Sequence, residues 1–461
     1  MNGRDAVVIG AGPTGAMLAI LLARRGYRVA VFEKRPDIRK HAAQGGRSIN
    51  LALMARGVRA LDYTGVLANV TARGVPIRRR AIHTPTGNIV AQPLGRTASE
   101  HVWAVDRNAL NAALLDRAES FPNVRLHFEC QLRDVMVSNN DVRIFREADN
   151  REEVVHADVI LGADGVSSMV RDSLVRAGAA TFAVDKISHG YKELTLPATF
   201  TGDYLPESFH SWPRQSFMIF GNPNPDGAMT LTLFLPNNGD PSFSSLTRPD
   251  LVAQFIDGHF GDLVPATATL VGDFFKNPVG ALGTVRGGPW YHRDKILLVG
   301  DAAHAIVPFF GQGMNASLED CVVLDELLDR HSDDWGKVMR DFYDRRRPNT
   351  DAVAELAMYN YDEIQARVND AAFRFRREVE FELMRRYPSR YASMHVMVMF
   401  THVPYKLARD CLTLQNRLLP QICAGSSELA AVDWQRADRL MLQYFNDVDA
   451  LTREHGVREL S

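Results

Sequence analysis

The apolar run AVVI at residues 6 to 9 leads straight into GAGPTG, Gly10 to Gly15, and this junction limits the fold more than any other part of the chain. Consecutive apolar, mostly β-branched residues suit a strand covered on both faces, as in the middle of a parallel sheet. The next segment, AMLAILLARRGY, carries apolar residues at helical spacing and stops at Gly26, and RVAVFEK reads as a second strand ending at Glu33. Together they make a βαβ unit. Within its G-x-G-x-x-G turn, Gly10 permits the tight bend, Gly12 lets backbone amides approach a pyrophosphate, and Gly15 lets helix and strand pack closely. Phosphates then lie at a helix N-terminus, where unpaired N–H groups and the helix dipole favour negative charge, and Glu33 accepts from a ribose. The unit predicts a bound dinucleotide.

Two further apolar strands, DVILGADG (158 to 165) and KILLVGDAAH (295 to 304), also end in glycine turns, which predicts one parallel sheet assembled from distant pieces of the chain. Between them, LTLPATFTG (194 to 202) and the stretch from 216 to 236 alternate as antiparallel strands do. After about residue 317 the pattern turns helical. At 461 residues, two or three domains are expected. The fold class is α/β. A discontinuous Rossmann-like domain takes residues 1–70, 100–180 and 285–325, an inserted antiparallel sheet domain takes 71–99 and 181–284, and a helical C-terminal region takes 326–461.

The formal net charge of -2 lacks the electrostatic footprint of a nucleic-acid binder, since the short RRR runs at 78–80 and 345–347 are balanced elsewhere. Cys130, Cys321, Cys411 and Cys423 form no C-x-x-C and no metal-ligand spacing, which suits a reducing cytosol. The N-terminus enters a strand pattern within five residues and does not read as a signal peptide. No window approaches the ~18 unbroken apolar residues a membrane span requires. A cytoplasmic monomer or homodimer, acting on a small molecule and holding no metal, is expected.

The stretch from Lys295 to Cys321, KILLVGDAAHAIVPFFGQGMNASLEDC, has much shaped backbone but no serine elbow or cysteine–histidine pair. Asp301, at the end of its strand, can accept from ribityl hydroxyls. Amides after Gly311 and Gly313 can face the polar edge of an isoalloxazine ring, with Pro308 closing over it. His304 reads as a packing or capping residue, because nothing nearby in sequence orients it as a base.

GAGPTG with Glu33, GADGVSSMVR, and GDAAH…P…GQGMN together resemble the FAD-dependent aromatic hydroxylases, the group A flavoprotein monooxygenases. Within them the chain is most similar to the kynurenine 3-monooxygenase family, through GRSINLAL (46 to 53), HGYKELTLP (189 to 197), AMYNYDEI (357 to 364) and MVMFTHVPY (397 to 405). The resemblance implies FAD as bound cofactor and NADPH or NADH and O2 as co-substrates. Besides the residues above, it implies cofactor contacts from Pro13, Thr14, Lys34, Arg35, Arg47, Arg107, Asp164, Gly300, Met314 and Asn315. Pro308, Phe309, Phe310 and Gln312 would wall the flavin side of the reaction space, with Phe234 opposite.

The resemblance also implies a carboxylate clamp of one arginine, one asparagine and two tyrosines. The arginine falls on Arg80 and the asparagine on Asn360, beside Tyr361; Leu94 and His395 stand where the tyrosines are expected. His395 restores a donor and, as an imidazolium, would draw an anion. Hydroxylation of an arylamine such as L-kynurenine is the expected reaction. Baeyer–Villiger insertion on a natural-product heterocycle stays open as the alternative.

Overall fold

The computed structural model describes residues 4–40, 50–200, 204–367, 370–457 and 460. The chain divides into two compact units: Met1–Gly74, Val105–Lys186 and Gly283–Asp351 form one, and Val75–Ala104, Ile187–Leu282 and Ala352–Ser461 the other.

In the first unit a six-stranded sheet runs in the order Tyr291–His292, Ile296–Leu298, Val159–Gly162, Asp5–Ile9, Arg28–Phe32, Val124–His127. All its pairings are parallel except that of Tyr291–His292. The three glycine-terminated strands are therefore neighbours, in register at Ile9↔Gly162 and Gly162↔Leu298. This is the arrangement their shared pattern predicted. The helix Pro13–Arg24 is buried from Gly15 through Ala23, which explains why it is apolar nearly all round.

The second unit is built on a seven-stranded sheet whose order ends in Met229–Pro236, Phe217–Pro223, Ser208–Arg214, Arg79–His83 and Ile89–Pro93. Among these five strands the pairings are antiparallel apart from Ser208–Arg214 against Arg79–His83. Trp212, Leu231 and Leu233 on the strands pack with Phe255, Phe260 and Leu270 of the following helical segment in one core. Helices Ala371–Arg386, Met394–Phe400, Tyr405–Cys423 and Trp434–Glu454 belong to this same unit, while 326–351 belongs to the first. The C-terminal helices thus share the sheet's unit and are not a unit of their own. Among the described residues no helix is long and apolar enough to cross a membrane.

Candidate active site

Backbone geometry dictates the glycine turn. Gly10 has φ of 98°, and a Cβ there would meet Ala163 O at 2.5 Å; a Cβ on Gly15 would lie 1.9 Å from Gly10 O. A Cβ on Gly12 would meet nothing within 4 Å. Two glycines close the turn on itself, and the third leaves room for a ligand at the start of the helix that Pro13 and Thr14 open. Glu33, only 7% exposed, follows directly on the next strand and accepts from the amides of Ala11 (2.9 Å) and Arg35 (3.0 Å). Burial opposes its charge, but Arg35 and those amides outweigh burial and hold its carboxyl below the ordinary range. Asn111 donates from Nδ2 to Ala11 O at 3.0 Å and so pins the turn from a helix that carries no glycine signal. Lys34, Arg35 and Arg107 are exposed, and Arg47 lies outside the described residues.

The other glycine turns are stapled to one another. Arg171 donates to Val166 O and Ala302 O, tying the GADG segment to the GDAA segment. Asp164 accepts from the amides of Met169 (2.7 Å) and Val170 (3.3 Å), and burial pushes its carboxyl up. Gly300, at φ 66°, turns the chain into the short helix Asp301–His304, where Asp301 is exposed. His304 has a partner that the sequence did not reveal: its Nε2 lies 2.5 Å from Asp320, which also accepts from the Gly300 amide and from Arg346. Glu319, paired with Arg56 and Arg346, completes a buried ionic network.

Pro308–Phe310 form one 3-10 turn in which Pro308 is exposed and both phenylalanines are buried. Gly311 is left-handed, and Gly313 and Met314 begin the helix that ends at Arg330. Gln312 donates to Met54 Sδ. Asn315 commits its amide to backbone, accepting from Met54 N and donating to Ala52 O and Gly311 O, so it shapes the loop.

In the second unit a pocket of about 560 Å³, mouth included, is lined by residues from five separate segments. Arg80 comes from strand Arg79–His83 and Leu94 from just beyond strand Ile89–Pro93, its amide tied to Arg78 O. Asn360 lies near the end of helix Trp335–Asp362, and Glu363 opens a π-helical turn, a local insertion often found at functional sites. Arg374 and Arg377 come from Ala371–Arg386, and His395 from Met394–Phe400. Arg80, Leu94, Asn360 and His395 are thus brought together, whereas Phe234 and Tyr361 are not among the lining residues. Phe234 packs on Tyr191 and Phe220, and Tyr361 accepts from Gln365.

Arg80 Nε is buried without a hydrogen-bond partner among the described residues. Burial, then the charge of Arg377, pushes its guanidinium down to about 10, against the pull of Glu363. His395 Nδ1 faces Arg377 Nη1 at 3.0 Å, and its Nε2 faces Asn360 Oδ1 at 3.2 Å and Glu363 Oε2 at 3.4 Å. Three guanidiniums against one carboxylate leave the pocket with surplus positive charge.

Residues 4–194 and 289–356 match the FAD binding domain family. Over 438 residues, 95% of this chain and 97% of the other, the sequence is 45% identical to a kynurenine 3-monooxygenase of Legionella pneumophila. The chain belongs to the kynurenine 3-monooxygenase family. A kynurenine 3-monooxygenase of Myxococcus xanthus is 40% identical over 94% of each chain. The solved structure of P. aeruginosa PqsL in complex with 2-aminobenzoylacetate superposes with a TM-score of 0.65 over 79% of this chain and 98% of that one, at 21% identity, a likeness of fold.

Membership in the kynurenine 3-monooxygenase family makes this an FAD-dependent, NADPH-consuming monooxygenase with O2 as co-substrate, and the cradle fits FAD: Gly12 leaves space where a pyrophosphate needs it, beside a buried ribose-type acceptor at Glu33. An imidazolium at His395, the form that would draw an anion, is disfavoured by its surroundings. Burial, then Arg377, Arg80 and Arg376, hold its pKa well below the ordinary value, so it is neutral. Glu363, Arg374 and Arg377 were missed because charged residues on a helix read from sequence as a solvated face.

Proposed function

We propose that this chain hydroxylates L-kynurenine, or a close arylamine that also carries a carboxylate, on the ring carbon next to the amine. The observation that carries the reading is the joint presence of Arg80 and Asn360 in one pocket with surplus guanidinium charge, in a chain 45% identical to a relative named for kynurenine. FAD, when bound, supplies the electron transfer from NADPH and the activation of O2 that no side chain offers.

The chain's own residues bind, orient and dehydrate. Gly10, Gly12, Pro13, Thr14, Gly15 and Glu33 hold the nucleotide half of the cofactor, and the turns at Gly300–Asp301 and Gly311–Asn315 hold the ring half. Arg80 takes the substrate carboxylate with two parallel N–H donors, the strongest geometry available to a side chain. Leu94, Ile82, Ile364, Phe373 and Met399 give the pocket apolar walls that exclude water. Pro308, Phe309, Phe310 and Gln312 shape the flavin side, and fixing the ring replaces a bimolecular encounter with a positioned one. Insertion beside a carbonyl, the alternative use of the same cofactor, finds no support in the relatives.

The test follows NADPH oxidation by the FAD-loaded protein with and without L-kynurenine. Acceleration together with a hydroxylated product supports the proposal. No acceleration and no such product removes kynurenine as substrate, while the assignment as a flavin monooxygenase stands.

A further inference from the structure

The pocket holds one carboxylate among its guanidiniums, and that carboxylate has a specific neighbour. Asn360 Oδ1 and Glu363 Oε2 lie 3.2 Å and 3.4 Å from the same atom, His395 Nε2. The clamp amide and the carboxylate are therefore side by side, three residues apart at the junction of the helix with the π-helical turn. An α-amino acid presents the same pair of features, a carboxylate and an ammonium on one carbon. We propose that Glu363 receives the α-ammonium of the substrate, so that the pocket selects α-amino acids over simple carboxylic acids. The inference rests on the proposed function and deepens it.

Three further observations support the role. Arg377 donates from Nη1 to Glu380 Oε2 at 2.5 Å and to His395 Nδ1, and the side-chain hydrogen bond to Glu363 comes from the uncharged Tyr359 hydroxyl. Burial pushes the Glu363 carboxyl up although Arg377 pulls it down, the condition of a buried anion short of a close counter-ion. His395, which is neutral, cannot supply that charge. An incoming ammonium supplies it, and bonds between buried charged groups discriminate strongly against a ligand that lacks one partner.

The experiment compares L-kynurenine with its analogue lacking the α-amino group, using the FAD-loaded full chain and its Glu363→Gln and Glu363→Asp variants. Flavin content and thermal melting confirm that each variant folds. The wild type is expected to prefer L-kynurenine by at least about tenfold in kcat/KM, the effect of one charge-assisted hydrogen bond. Glu363→Gln collapses the ratio towards one by raising KM for L-kynurenine, and Glu363→Asp restores part of it. Equal losses on both substrates, the mark of a residue that only holds His395 in place, overturn the inference, as does a wild type that accepts both substrates equally. If the wild type turns over neither compound, the proposed function fails first and this inference with it.

Discussion

Arg377 Nη1 stands 3.0 Å from His395 Nδ1, and since a guanidinium can only donate, that ring nitrogen must accept. The ring proton is therefore on Nε2, facing Asn360 and Glu363. The positive charge of the pocket comes from its arginines, and His395 is an uncharged relay between Arg377 and Asn360.

One consequence concerns pH. The folded pKa of His395 is depressed well below the ordinary value, chiefly by burial. Below roughly pH 6.5 the unfolded chain takes up a proton that the folded chain refuses, so stability present above that pH is lost as the pH falls. Thermal melts of the wild type should weaken from about pH 7 to 5 more than those of His395→Gln. Over the same range KM for a carboxylate substrate should not improve on acidification; an improvement with a midpoint near 6.5 would show an imidazolium at work.

Arg80 has a buried Nε without a hydrogen-bond partner among the described residues, and its guanidinium sits among other cations. Arg80→Met should cut kcat/KM for a carboxylate substrate by roughly 10- to 100-fold, the range expected for charged hydrogen bonds. Flavin content should not change. A loss confined to kcat, with KM unaltered, would place Arg80 outside the carboxylate clamp.

The glycines of the first turn should separate into two kinds. Gly12→Ala adds a methyl group in open space, so apoprotein melting should stay within about 1 kcal/mol of wild type while FAD affinity falls. Gly15→Ala drives a Cβ to 1.9 Å from Gly10 O and should lower both. Fluorescence titration with FAD, beside melts of the apoproteins, separates the two effects.

Asp320 accepts from His304, Arg346 and the Gly300 amide in full burial. Burial opposes its charge, but His304 and Arg346 hold its carboxyl below the ordinary range. Its stabilising contribution is therefore present above its unfolded pKa of about 4 and is lost as pH falls through the lower folded value. Asp320→Asn takes away one of the two carboxylates paired with buried Arg346 and should cost about 3 to 5 kcal/mol in denaturant unfolding at neutral pH. A change under about 1 kcal/mol would mean the network is not the anchor of the Gly300 turn.

The parts of the fold legible in the sequence were those with a local signature. Ile9–Gly10 and Leu298–Gly300 each pair an apolar strand with a glycine at positive φ, Gly162 ends a third strand where a Cβ would crowd the Leu298 and Val170 side chains, and the three strands pack as neighbours. The pocket was legible only through resemblance, since Arg80, Leu94, Asn360 and His395 are scattered over 316 positions and no period links them. Glu363 and Arg377 stayed hidden because which face of a charged helix turns inward is decided by tertiary packing. The His304 partner was hidden for a similar reason: Asp320 is 16 residues away, across a turn that closes only in the folded chain.

The most direct test of the account is the fate of molecular oxygen. FAD-loaded protein supplied with NADPH, L-kynurenine and 18O2 should release a product carrying one heavy oxygen as a phenol on the ring carbon next to the amine, with NADPH consumed in step. A heavy oxygen placed as an ester or lactone, or NADPH consumed with only hydrogen peroxide formed, would contradict it.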